Sequence, residues 1–193
     1  MGAEEELKKQ LASLPERAAV SLVTDLDNYV SIIKGVGAFS AESGTRCVYV
    51  ASTVPARVVT EQLVNEGIST DQLYFVDAIS MMVGSGGEGG QRTLFLESPT
   101  MLESIMLKVD AWLRKLGSGR ELVFLDSLSS LAMHNDPSIL SEFVHLFVNH
   151  FRVRGVRSVV LSVSGQTPEE LESVTRLICD ETIILKSEGG EKG

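Results

Sequence analysis

The chain has 193 residues, 44% of them hydrophobic and 22% charged, with a formal net charge of -9. That is long enough to bury a substantial core. The acidity argues against a general nucleic-acid binder, which needs a basic footprint, and against docking on anionic membranes, while leaving room for a local basic patch. No apolar stretch has the length of a membrane span, and the start, Met1-Gly2-Ala3-Glu4-Glu5-Glu6, lacks the basic and apolar regions of a signal peptide. The two cysteines, Cys47 and Cys179, lie far apart inside apolar runs, so buried free thiols in a reducing, cytoplasmic setting are expected.

In chain order, Glu4 to Leu14 places Leu7, Leu11 and Leu14 on one helical face, and Pro15 ends it. Ala18 to Thr24 is the first core strand. Asp25-Leu26-Asp27-Asn28 then forms an N-cap cluster for a helix from about Leu26 to Phe39, in which Gly35 and Gly37 mark weakness or close packing. Arg46 to Ala51 is the second strand. Pro55 opens the next helix, with Val58, Val59 and Leu63 facing inward and Gly67 as its end. Gln72 to Val76 is the third strand, closed by Asp77. Gly84 to Gly90 is glycine-rich, but Gln91 to Leu96 after it is a strand rather than a helix, so the loop is expected to be a flexible surface excursion and not a phosphate cradle. Ser98 as N-cap and Pro99 at the first position predict a long helix with a stripe of Met101, Leu102, Ile105, Met106, Val109, Trp112, Leu113 and Leu116, ended by Gly117. A further helix starts at Asn135-Asp136-Pro137 and turns Ile139, Leu140, Phe143, Val144, Phe147 and Phe151 inward. Val156 to Val163 is a strand. Thr167-Pro168-Glu169-Glu170 is a capped helix start, with Leu171, Val174, Leu177 and Ile178 on the inner face, and Glu181 to Leu185 is the last strand. Alternating strands and helices predict an α/β, doubly wound, mainly parallel sheet with helices on both faces, in one domain over residues 1–193, with an N-terminal helix in 1–16 and a flexible tail at 187–193.

The stretch at the centre of this order is Glu121-Leu122-Val123-Phe124-Leu125-Asp126-Ser127-Leu128-Ser129-Ser130. An unbroken apolar run suits a strand buried on both faces, with Asp126 at the C-terminal edge where open α/β sheets bind ligands. A carboxylate there either helps to hold a nucleotide's magnesium or caps the following turn.

In that order, Leu122-Val123-Phe124-Leu125-Asp126-Ser127-Leu128-Ser129-Ser130-Leu131, Tyr74-Phe75-Val76-Asp77-Ala78-Ile79-Ser80 and Leu96-Glu97-Ser98-Pro99-Thr100-Met101-Leu102 resemble segments of the RecA-like P-loop fold, in particular its KaiC-like branch. The resemblance spans about Ala18 to Leu185. It implies that Asp126 and Ser127 stand where the Walker B segment lies, and that Gln166 is similar to the polar residue that contacts the neighbouring site or senses the γ-phosphate. It also implies assembly into rings or filaments, so the expected partner is the chain itself, as a homo-oligomer, or an active relative, with neither nucleic acid nor membrane.

Two parts of the family pattern are missing. A P-loop needs glycines to wrap phosphate, a lysine on the β/γ-phosphates and a hydroxyl on magnesium. This chain has Thr24-Asp25-Leu26-Asp27-Asn28-Tyr29-Val30-Ser31 after its first strand, with no glycine or lysine and with two carboxylates that would repel a polyphosphate. The second strand ends in Ser52-Thr53-Val54-Pro55, where KaiC-like enzymes carry glutamates that activate water. The expectation is therefore a non-enzymatic regulatory or scaffold protein, with no catalytic residue, cofactor or metal. The alternative is a sensor that binds a nucleotide or small molecule without hydrolysis, at a degenerate site drawn from Thr24, Asp25, Asp27, Asn28, Ser52, Thr53, Asp126 and Gln166. Convergence of Asp25, Asp27 and Asp126 would permit a magnesium or calcium site and, at the extreme, a metal-dependent hydrolase, against the simpler reading in which the first two cap a helix. His145 and His150, five apart on a helix, share no face as a metal pair would and are expected, with His134, in surface or capping roles.

Overall fold

A computed structural model describes residues 2–86, 90–117 and 119–187. Seven strands form one sheet in the order β4-β3-β2-β5-β6-β1-β7, every neighbouring pair parallel. They are β1 (Ala19–Thr24), β2 (Arg46–Ala51), β3 (Leu73–Asp77), β4 (Thr93–Phe95), β5 (Glu121–Asp126), β6 (Arg157–Val163) and β7 (Glu181–Leu185). The helices are α1 (Ala3–Ser13), α2 (Tyr29–Ser43), α3 (Ala56–Asn65), α4 (Leu102–Leu116), α5 (Leu128–Ala132), α6 (Pro137–Val153) and α7 (Glu169–Ile178). This is the doubly wound α/β architecture that the alternation predicts. The central strands are apolar on successive residues because both of their faces are covered.

Each face has its own core. Val20 and Leu22 of β1, Cys47 and Tyr49 of β2, Phe75, Leu122, Phe124, Val159 and Leu161 meet α1, α2 and α3 on one side. The intervening Ala19, Val48, Val50, Val76, Val123, Leu125 and Val160 meet α4 to α7 on the other. The period-2 alternation of side chains thus assigns Tyr49 and Asp126 to the same face, beneath α2.

The first helix is bound into this body. Leu7 and Leu11 are fully buried, each contributing about 1.5–3 kcal/mol. Gly35 lets α1 approach, since a Cβ there would lie 3.1 Å from the Glu4 carbonyl oxygen. Arg157, at the start of β6, donates to the carbonyls of Leu11, Leu14 and Pro15 at 2.9, 2.7 and 3.2 Å. Its guanidinium satisfies the orphan acceptors and the negative end of α1.

Several sequence expectations shift. The helix expected from Leu26 begins at Tyr29, because Asp25 accepts from Asn28 N and holds 25–28 as a turn. Ser98 and Pro99 do not open α4, which begins at Leu102; the Ser98 hydroxyl accepts from Thr100 N in a local turn. Thr167 does not cap α7, for its hydroxyl is shared with Ser129 and the Val163 carbonyl. Val58, Ile139 and Leu177, expected inward, are exposed, Leu177 at 84%, since each lies at the margin of its helix's apolar stripe. The strand expected over 91–96 is only β4, at the sheet edge, and α5 was not foreseen. In the Gly84–Gly90 loop, residues 87–89 lie outside the described residues, as do 188–193 of the expected tail. Ser187, counted with that tail, is tied down by its backbone to Asp25 at 2.5 Å. Cys47 is buried and Cys179 half-buried, both free.

Candidate functional site

The C-terminal edge of β5 delivers Asp126 into the interior with no exposed surface. The sequence places it there because four apolar residues carry β5 through the sheet and hydroxyl residues follow. The Asp126–Ser127 peptide bond is cis. Three hydroxyls converge on the carboxylate. Tyr29, the first residue of α2, reaches Oδ1 and Oδ2 at 2.9 and 2.8 Å. Tyr49 of β2 donates to Oδ2 at 2.5 Å, and Thr53, just past β2, donates to Oδ1 at 3.0 Å. Each carboxylate oxygen thus has two contacts, which uses the lone-pair directions available to it.

Burial pushes the Asp126 carboxyl above the usual carboxylate range, and the hydrogen bonds from Tyr49, Tyr29 and Thr53 oppose that rise. Burial, and then the Asp126 charge, raise both Tyr29 and Tyr49 far above ordinary tyrosines, so both are O–H donors at neutral pH. The cluster holds a carboxyl, two phenols and an alcohol, with no cation among its hydrogen-bond partners in the described residues.

A second layer of hydroxyls knits the loops around it. Ser52 N and Oγ both donate to the Asp126 carbonyl, at 2.8 and 2.9 Å, and Ser52 Oγ accepts from Ser127 N at 3.1 Å. Ser127 caps α5 by accepting from Ser130 N at 3.1 Å and lies 3.2 Å from the Thr53 hydroxyl. Ser130 Oγ donates to the Ser52 carbonyl at 2.5 Å. These short polar side chains take up the turn geometry after β2 and β5 and satisfy the backbone there.

The structure therefore brings together Asp126, Ser127, Ser52 and Thr53, and leaves the other predicted residues apart. Thr24 donates to the Leu185 carbonyl at 2.9 Å, fastening β1 to β7. Burial pushes Asp25 upward, but the backbone N–H groups of Ser187 and Asn28 outweigh it and hold the carboxyl below its usual range. Asp27 and Gln166 face solvent. Among the described residues no hydrogen bond joins Thr24, Asp25, Asp27, Asn28 or Gln166 to Asp126, and no cluster of three His, Cys, Asp or Glu side chains could hold a metal ion. The acidic trio does not converge because Asp25 is spent on its own turn and on Ser187. His150 pairs with Asp110 at 2.9 Å, bridging α6 to α4.

Sequence reasoning missed Tyr29, Tyr49 and Asp77. A tyrosine inside the apolar run Cys47–Ala51 was a usable signal, since a buried phenol needs a partner. Asp77 is fully buried and accepts from Ala56 N, Ile79 N and Ser80 N at 2.8, 3.0 and 2.8 Å. It thereby caps α3 from a neighbouring strand. A cleft of about 800 Å³ lies away from Asp126, between the start of α3, Phe75 of β3 and Phe95 of β4.

The class these features define is a doubly wound α/β fold with a carboxylate at the C-terminal sheet edge. Its solved neighbours include a KaiC-like protein from the hyperthermophilic archaeon Pyrococcus horikoshii, at 16% identity and a TM-score of 0.61 over 93% of this chain and 76% of that one. The flagellar accessory protein FlaH from Methanocaldococcus jannaschii matches at 11% identity and a TM-score of 0.64, over 94% and 77%. An uncharacterized Pyrococcus horikoshii protein in complex with an unknown peptide matches at 14% identity and a TM-score of 0.70, over 98% and 85%. The chain thus shares its fold with KaiC-like proteins. No protein-family model matches the chain, and neither does any curated relative. No helix among the described residues is long and apolar enough to cross a membrane.

Proposed function

We propose that this protein is a KaiC-like domain that does not hydrolyse nucleotide and acts in the cytoplasm as a regulatory or scaffold subunit, through contacts with copies of itself or with an active relative. The observation that supports it most is the state of Asp126. A carboxylate that helps to hold magnesium must offer lone pairs to the ion or its waters, whereas this one is buried and occupied by Tyr29, Tyr49 and Thr53. The turn before α2 adds to this, since it presents the carboxylates of Asp25 and Asp27 where a cationic, glycine-lined cradle is needed. That one neighbour of this fold is held in complex with a peptide accords with a role in protein contacts.

The test is a thermal-shift titration with Mg-ATP and Mg-ADP, combined with phosphate release and light scattering on the same sample. A micromolar ligand at millimolar concentration stabilises a protein by about 4 kcal/mol, or about 8–16 °C for a chain of this size. The expected result is no shift, no phosphate release and a defined oligomer. A concentration-dependent shift would replace this reading with a nucleotide sensor, and turnover would overturn it.

A further inference from the structure

The loops leaving the C-terminal ends of β3, β4 and β5 carry large apolar side chains into solvent. Met81, Met82 and Val83 follow β3, Met101 precedes α4, Met133 follows α5, and Ile139 stands on the first turn of α6. Met133 is 79% exposed and Ile139 57%. Asn135 Nδ2 donates to the Pro99 carbonyl at 3.2 Å and to the Leu131 carbonyl at 2.9 Å, tying the loop of Met133 to that of Met101. The β3 and β4 loops spring from adjacent strand ends, where Asp77 pairs with Phe95. These loops are anchored from beneath by buried Ile79, Leu96, Leu102, Leu128 and Leu131, so the methionines are displayed on a rigid base.

Among the described residues, the exposed charges set between these apolar side chains are acidic. Glu97, Glu103 and Asp136 are exposed among the apolar residues, and hydrogen bonds from Ser138 hold the Asp136 carboxyl below its usual range. The described loops after β1 to β6 contain no lysine, and their one arginine, Arg92 just before β4, is turned away to the Asp71 carbonyl at 2.6 Å, at the N-terminal end of β3. Among the described residues the cations at this end are Lys186, past β7, and Arg57 on the first turn of α3, which is paired with Glu61 at 3.2 Å.

We propose that this methionine-rich, acidic rim docks a basic amphipathic helix of a partner protein. The proposal rests on the reading of the protein as one that acts through protein contacts, and it names the chemistry of the partner. Unbranched, polarizable methionine side chains repack against varied apolar faces. Exposed apolar groups rimmed by charge mark interaction sites, and an amphipathic helix meets such a surface through apolar side chains spaced three and four residues apart. Charge complementarity selects a partner rich in Lys and Arg and rejects nucleotides, nucleic acids and anionic lipid, which the carboxylates would repel.

The probe is a fluorescein-labelled peptide of about 18 residues, five helical turns, with leucines on one face and lysines on the other. The controls are a shuffled peptide of the same composition and one with glutamate in place of lysine. Anisotropy with the full chain is expected to show saturable binding of the amphipathic lysine peptide, weakened by salt, with the shuffled peptide about tenfold weaker and the glutamate peptide unbound. The variant Met82→Gln/Met133→Gln changes no charge and touches only exposed side chains. It should keep its melting temperature and lose about tenfold in affinity. Absence of binding, equal binding of either control, or an unchanged affinity in the variant would overturn the proposal. So would self-association abolished by the same variant without peptide binding, which would assign the rim to a second copy. The two readings fail separately: ATP turnover in a sample that binds the peptide would sink only the non-hydrolysing reading, and a silent site with no peptide binding would sink only this one.

Discussion

Replacing Tyr49 with phenylalanine tests whether Asp126 is a buried carboxylate held by hydroxyls. Tyr49→Phe removes the 2.5 Å donor to Oδ2 and leaves the ring in its contacts with Phe75 and Phe124, whose centroids lie 5.4 and 5.0 Å away. The packing contribution is therefore conserved and the loss is confined to the hydrogen bond. A hydrogen bond to a charged group is worth about 1.5–3 kcal/mol. For a chain of this length that is about 3–12 °C in Tm. Circular dichroism melts at pH 8 would measure it. As pH falls and the carboxyl takes up its proton, the bond becomes one between neutral groups and the difference should shrink toward about 0.5–1.5 kcal/mol. A melting temperature unchanged by Tyr49→Phe at pH 8, or a penalty that grows on acidification, would refute the picture of a desolvated carboxylate at the centre of the site.

The same carboxyl predicts a direction for pH dependence. Its folded pKa is raised, so the folded chain binds more protons than the unfolded one above the ordinary aspartate value of about 3.9. Its contribution is complete below that value and is lost as pH rises through the raised one. Asp126→Asn should flatten this part of the stability curve, and denaturant titrations across pH 4 to 8 read it out; an unaltered profile would exclude Asp126 as its source. Asp25, whose carboxyl is lowered, contributes in the opposite sense, with stability lost as pH falls. Arg157→Ala strips three carbonyls of their donor and should cost about 3 kcal/mol or more, with amide exchange rising first in α1. Ser162→Ala removes a buried hydroxyl that has no partner among the described residues and should stabilise the chain by up to about 1 kcal/mol in urea unfolding.

Most of the fold was legible in the sequence because the signals were local. Continuous apolar runs at Cys47–Ala51 and Leu122–Leu125 announce doubly covered strands. Glycines at 44, 67 and 117 sit at helix ends with positive φ, and Asp136 before Pro137 caps α6 through Ser138 N at 2.9 Å. The place of Asp126 at a strand's end was equally local, as was the absence of a glycine-lysine cradle between Thr24 and Ser31. What the sequence could not show is who would meet whom. Tyr29 and Asp126 are 97 positions apart and Tyr49 and Asp126 are 77 apart; they join only because the strand order sets β2 beside β5 and lays α2 over that face. Tertiary structure likewise decided that Asp25 would be spent on Ser187, that Asp77 would cap α3, and that methionines from separate loops would stand along one edge. Apolar periodicity and turn chemistry act over a few residues and so are written in the chain. The partners of a buried carboxyl depend on strand order and register, which arise only when the whole sheet is assembled.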